Sequence, residues 1–280
     1  AGKPEALRWF SWQINARFTV GAETYTPNAL KFNGAIIKRD SKGSIRVSMH
    51  EFANHIEKLP LEPFRRKQAD APVTPSELQA YQSLAGKMNW LGHSVVPHFT
   101  FAASYLQQQI GDLKVKGLAT ANGVLREAQR YPPVLTFGRV QDPPVVRLLT
   151  FADAAFPKIA GSTYGQSGIL SGLVLGIGSA AAFHALAWTS HKQSRVARSS
   201  SAAEILAIVE AEEFGAVLRD TLQRICGRTV PHEVIVDSRS LFDTITTQHE
   251  AKDFRLRQAV RSLRERYELG EITKLRWIAE

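Results

Sequence analysis

Residues 159–191 form a run of 33 positions without a single Asp, Glu, Lys or Arg. An uncharged run of that length is either a membrane span or buried secondary structure. Gly and Ser are scattered through it, and Thr163, Gln166 and His184 interrupt the apolar pattern. It therefore predicts two buried β-strands joined by a Gly/Ser/Ala turn over 176–182, and no membrane partner. Strands of this kind need a covering helix. Residues 201–225 supply one, with Ile205, Leu206, Val209, Phe214, Val217 and Leu218 nearly all round, as for a helix lying on a sheet.

The rest of the chain divides around this unit. Residues 145–153 and 233–237 predict further strands, 240–248 and 253–269 helices, and 272–278 a last strand. Upstream, two β-like runs flank Asp40-Ser41-Lys42-Gly43, a hairpin signal, and a short helical piece follows over 50–58. The Pro-rich, charged stretch 60–75 marks a boundary. Thr74-Pro75-Ser76-Glu77 has the pattern of a helix cap, and helices are predicted over 76–91, 98–110 and 113–130, separated by Pro97 and Gly111. Three domains result: 1–72, a helical 73–144, and an α/β unit over 145–280.

The net charge of +9 is uneven, with +7 falling before Val146 and +2 after. A basic N-terminal half suits a polyanionic partner, although many basic proteins bind none. Cys226 is the single cysteine, which excludes a disulfide framework and thiolate metal sites. The eight histidines show no metal-ligand spacing, and His184 and His232 fit core positions. Gly172, Gly176 and Gly178 form no phosphate-binding fingerprint, so no small-molecule cofactor is expected.

The chemistry of the third domain lies in three acids. Asp153 and Asp237 each close a predicted strand, and Glu204 opens the long helix. In an open α/β sheet, ligands sit at the carboxyl ends of strands, so the order strand-Asp, helix-Glu, strand-Asp suits a two-metal nuclease site. Mg²⁺ prefers clustered carboxylate oxygens to His or Cys. Each acid also has a plain structural reading. Asp after a strand is turn chemistry, Asp237-Ser238 can cap a helix, and Glu in a first turn complements the helix dipole.

At this point a resemblance emerges. FADAAFPKIAGSTYGQSG, AWTSHKQSRVARSSSAAE, VIVDSRS, KDFRLR and GEITKLRWIAE resemble successive segments of the ribonuclease H domain of copia-type long-terminal-repeat retrotransposons. Upstream, RFTVGAETYTPNALKFNGAIIKRDSKGSIRVSM resembles the end of a reverse-transcriptase palm, and AYQSLAGKMNWL and VLREAQRY its helical thumb or connection. The resemblance implies a ribonuclease H-like mixed sheet with flanking helices, preceded by a helical thumb and a partial α+β palm. It implies Asp153, Glu204 and Asp237 as catalytic, metal-binding carboxylates for two Mg²⁺ ions, with Mn²⁺ as an alternative. The implied substrate is an RNA/DNA hybrid, and the implied setting is intracellular, in a cytoplasmic virus-like particle or the nucleus. The parent polyprotein's upstream palm and fingers are missing partners.

Three departures from the family stand out. The family's fourth carboxylate lies a few residues beyond the segment matching residues 277–280, and no Asp-Asp pair supplies the polymerase's Tyr-x-Asp-Asp element. Ala202 replaces the first Glu of the family's Glu-x-Glu pair, and Glu204 matches the second. No DNA synthesis is expected of this chain. An inactive or decayed nucleic-acid-binding fragment is the alternative to a nuclease. Lys192, Arg195, Arg198 and Ser199, read as a basic loop after Trp188, can hold phosphates of the hybrid or can simply be solvated. Arg65-Arg66-Lys67 fits a solvated linker better than a contact site. Trp9 and Trp12 fit packing better than base stacking.

Overall fold

The structure is a computed structural model that describes residues 4–18, 29–131, 133–139, 145–156, 164–178, 181–247, 250 and 253–278. Helix α1 (Pro4–Asn15) is followed by strands β1 (Ala29–Phe32), β2 (Ala35–Arg39) and β3 (Ile45–Ser48). The β2–β3 turn closes as the sequence requires. One Asp40 carboxylate oxygen accepts from the Lys42 and Ser44 amides at 2.9 and 2.8 Å, and Gly43 takes a left-handed φ of +86°.

Helices α2 (His50–Asn54), α3 (Pro63–Arg66), α4 (Pro75–Val95), α5 (Thr100–Gln108) and α6 (Val115–Arg130) follow, then strand β4 (Val134–Phe137). The capping box at Thr74 forms, with Thr74 Oγ1 accepting from Glu77 N and Glu77 Oε2 accepting from Thr74 N. Glu77 also receives a fork of hydrogen bonds from Arg65, at 2.8 Å each. Arg65 is thus a half-buried clamp on α4 and not part of a solvated linker, whereas Arg66 and Lys67 are exposed. One hydrophobic core joins Met49, Ala53, Ile56 and Leu59 to Tyr81, Met88, Leu106 and Leu125. Asn122 pairs with both backbone groups of Leu59, and Gln129 ties α6 to the Ala53 and Ile56 carbonyls. The segment after α6 adds a strand that the sequence did not announce: β4 pairs antiparallel with β3, giving the order β1-β2-β3-β4.

The C-terminal half is mixed α/β. Strands β5 (Val146–Ala155), β6 (Tyr164–Leu175) and β7 (Ala182–Val196) form an antiparallel meander, and the long helix α7 (Ser200–Cys226) returns across it. Strand β8 (His232–Val236), helices α8 (Arg239–Thr246) and α9 (Arg257–Glu268) and strand β9 (Lys274–Trp277) complete a five-stranded sheet of order β7-β6-β5-β8-β9. Strands β5, β8 and β9 are parallel. Residues alternate along β5, so that Leu148, Thr150 and Ala152 are buried.

Small residues of α7 let it sit close on the sheet. Ala203, Ile208 and Ala211 share a core with Ala152, Ile169 and Val234. Where Gly215 passes, a buried polar trio lies beneath it. Thr150 Oγ1 bonds Ser171 Oγ at 2.9 Å and His232 Nε2 at 3.0 Å. Burial keeps His232 neutral, its pKa pushed down to about 4. Glu233, also buried, bridges Arg147 and Arg276 on the neighbouring strands.

One expectation fails in this half. Lys192 and Arg195 do not lie in a loop, because β7 continues to Val196 with Gln166 opposite Lys192 and Tyr164 opposite Val196. The inward residue Gln193 is buried, donating to the Ala203 carbonyl and to Ser167 Oγ. An inward row containing a polar amide hides the strand alternation from a hydrophobicity pattern.

The two halves are tied together. Trp188 Nε1 donates to the Gly92 carbonyl at 2.8 Å, and Gln166 exchanges hydrogen bonds with Ser104 and Gln108 of α5. Among the described residues no helix is long and apolar enough to cross a membrane.

Candidate metal centre

Strand pairing brings the two aspartates together. Phe151 stands opposite Ile235 in the parallel β5–β8 register. The same offset carried two residues further sets Asp153 beside Asp237, at the carboxyl ends of adjacent parallel strands. Glu204 reaches the same point from α7. One carboxylate oxygen each of Asp153, Glu204 and Asp237 lie within 4.8 Å of one another. Asp153 is exposed, and the other two are half-buried.

The plain structural readings of these acids do not fit their positions. Ser238, not Asp237, caps α8, its hydroxyl accepting from Leu241 N at 3.3 Å. Asp153 lies inside β5 and not in the turn after it. Ser199 caps α7 by accepting from Ala202 N at 3.1 Å, and the first turn holds no acid. Glu204 therefore stands in the second turn, one step later than the sequence suggested, because the helix begins at Ser200.

Electrostatics match a site built for a cation. Burial raises the Glu204 carboxyl, and the charges of Asp237 and Asp153 raise it further, to about 7, against a partial offset from the Ala154 amide. Asp237 Oδ1 is buried and has no hydrogen-bond partner among the described residues. A bare carboxylate oxygen beside two other carboxylates is costly to bury, and a hard divalent cation satisfies it. The donor set, all oxygen, fits Mg²⁺ or Mn²⁺.

A pH dependence follows. The folded-state value of Glu204 lies above its ordinary 4.5, so the folded chain holds a proton that the unfolded chain has released. That contribution is fully present below the ordinary value and is lost as pH rises through the folded one. With metal chelated, stability is expected to fall by about 1 to 2 kcal/mol across this window, since solvent screens the half-buried carboxyl in part. Urea midpoints at roughly pH 4.5 and pH 8 would measure it. Glu204→Gln should flatten the slope, and an unchanged slope in that variant would disprove the assignment.

The backbone at Asp237 is held by a residue that sequence reasoning did not single out. Trp277 Nε1 donates to the Asp237 carbonyl at 2.8 Å, and the Arg239 guanidinium lies 4.8 Å from the centre of the Trp277 ring. No local signal marks this role, which depends on β9 lying beside β8. Of the basic residues, Lys192 lies over the Tyr164 ring at 4.4 Å. Lys192, Arg195, Arg198 and Ser199 are all exposed.

No protein-family pattern and no curated protein matches the chain. Among solved structures, ribonuclease H1 from the halophilic archaeon Halobacterium salinarum NRC-1 is similar over 48% of this chain and 86% of its own, at 18% identity and a TM-score of 0.32. LC11-RNase H1, solved in complex with an RNA/DNA hybrid, is similar over 48% and 85%, at 16% identity and a TM-score of 0.33. The N-terminal ribonuclease H domain of a Mycobacterium tuberculosis protein aligns over 48% and 84%, at 14% identity and a TM-score of 0.31.

Proposed function

We propose that residues 145–280 are a ribonuclease H-type nuclease that cuts the RNA strand of RNA/DNA hybrids. In this proposal the whole chain is the C-terminal part of a copia-type retrotransposon reverse transcriptase, with 1–72 a palm remnant and 73–144 the thumb or connection. Its setting is intracellular, in a virus-like particle or the nucleus. The observation that carries the nuclease assignment is the meeting of Asp153, Glu204 and Asp237 within 4.8 Å, with Asp237 Oδ1 buried and unpartnered.

These three residues would hold the divalent ions. Bound Mg²⁺ supplies Lewis-acid polarisation of the scissile phosphate and a more acidic water. Asp153, near the end of β5, and Asp237, just after β8, would fix where the ions sit and so where the phosphate is held. Glu204, whose carboxyl is raised by burial and by the two neighbouring aspartates, would hold the cation in its ionised form. Arg195 and Arg198, exposed at the end of β7, together with Lys192 and Ser199, are placed to hold flanking phosphates.

A second reading, a fragment that binds hybrid without cutting, has one observation in its favour. Among the described residues the acidic group has three members, where the resembling family has four. A gel assay on labelled RNA/DNA hybrid separates the two. The nuclease cuts RNA only with Mg²⁺, stops on chelation and spares duplex DNA. Tight, salt-steep binding with no metal-dependent cutting would leave the second reading standing.

A further inference from the structure

The sheet face carrying Asp153 is partly roofed by the N-terminal half. Between residues 97–101 and strands β5 and β6 lies a cleft of about 530 Å³, and Asp153 forms part of its wall. The cleft therefore reaches one member of the carboxylate triad. Rings make up much of its lining: Phe101 and His98 on the helical side, Phe151 and Trp188 on the sheet side. Two of these rings are fixed. Phe151 meets Phe183 edge-on at 5.8 Å, and Trp188 is tied to the Gly92 carbonyl. Phe101 is 56% exposed, with Tyr105 stacked at 6.4 Å on its flank.

Two of the polar side chains in the lining are already hydrogen-bonded. The Gln166 amide donates to Ser104 and Ser190 and accepts from Gln108. The Thr100 hydroxyl donates to the Pro97 carbonyl. The Phe101, His98 and Phe151 rings and the Ile169 and Leu170 side chains also line the cleft, a surface suited to a planar heteroaromatic group held by stacking. The volume falls in the range of small-ligand sites and is far below that of a duplex. A base attached to a phosphate at the triad is the planar group that the shared Asp153 wall delivers.

We propose that this cleft receives one unpaired nucleobase of the strand being cut, stacked on Phe101 beside the phosphate that a cation at Asp153 would hold. This rests on the nuclease assignment above. The N-terminal half thereby becomes part of the substrate site. Hybrids with an unpaired nucleotide at the cutting position are preferred over fully paired ones, whatever the base, because stacking reads no hydrogen-bonding edge.

The test uses the full chain with Ca²⁺ in place of Mg²⁺, and hybrids carrying 2-aminopurine in the RNA strand, either bulged or paired. Binding is followed by anisotropy of an end label and by 2-aminopurine emission. The expected results are quenching of the bulged base on binding and a loss of about tenfold in affinity for the bulged hybrid in Phe101→Ala. Phe101→Trp should restore that affinity, and the paired hybrid should bind all three proteins alike. Because Phe101 is exposed, the alanine variant keeps its fold. Equal affinities of wild type and Phe101→Ala for the bulged hybrid, or an unquenched base, would overturn the cleft proposal and leave the nuclease assignment intact. Failure of the wild-type chain to bind either hybrid would overturn both.

Discussion

Replacing Asp237 with asparagine is expected to lower hybrid cleavage by roughly a thousandfold while making the metal-free chain more stable. The two effects have one cause. Asp237 Oδ1 is buried without a hydrogen-bond partner, and its charge helps to raise the Glu204 carboxyl to about 7. An amide of the same shape removes the charge that grips a cation and also the repulsion that its absence leaves behind. The gain in stability should be about 1 kcal/mol near pH 8, and it should vanish in acid, where Glu204 is protonated in both proteins. Single-turnover cleavage and urea midpoints in chelator measure the two sides. Were Asp237 a structural residue, the variant would lose stability along with activity. Activity within about tenfold of wild type would remove Asp237 from the metal site.

Gly215→Ala is expected to cost about 3 kcal/mol of stability, although alanine is the better helix former. A Cβ at this position would stand 2.6 Å from both His232 Cε1 and Thr150 Oγ1. Neither neighbour can retreat cheaply, because Thr150 is also bonded to Ser171 and all three side chains are fully buried. Either α7 lifts from the sheet, or the Thr150–His232 hydrogen bond breaks and leaves buried polar atoms unpaired. A urea midpoint equal to that of wild type would show that the helix does not lie so close. Lifting α7 also moves Glu204, so cleavage should fall even in the fraction that remains folded.

Features with local causes could be read from the sequence. The Asp40 turn, the Thr74 capping box and the strand-helix-strand order of the three acids depend on neighbours a few residues away. The end of β7 could not be read in this way, since Gln193 is polar yet buried and satisfied by Ala203 and Ser167. Strand β4 was missed because its partner is remote in sequence, Leu135 standing opposite Val47. The start of α7 was misplaced by one residue because three serines in a row all suit a cap, and only the structure selects Ser199. The ring-lined cleft beside Asp153 has no local signature, for it exists only where two halves of the chain meet.

The bond from Trp188 to Gly92 limits how the molecule can be divided. A protein begun at Val146 would keep Asp153, Glu204 and Asp237 and the whole five-stranded sheet. It would also strip the cover from the indole ring, from Leu170 and from the Gln166 amide, opening an oily patch next to Asp153. Bare surfaces of that kind drive self-association. The smaller protein is therefore less soluble than the parent, and a substitution such as Trp188→Thr is the natural companion to any such truncation.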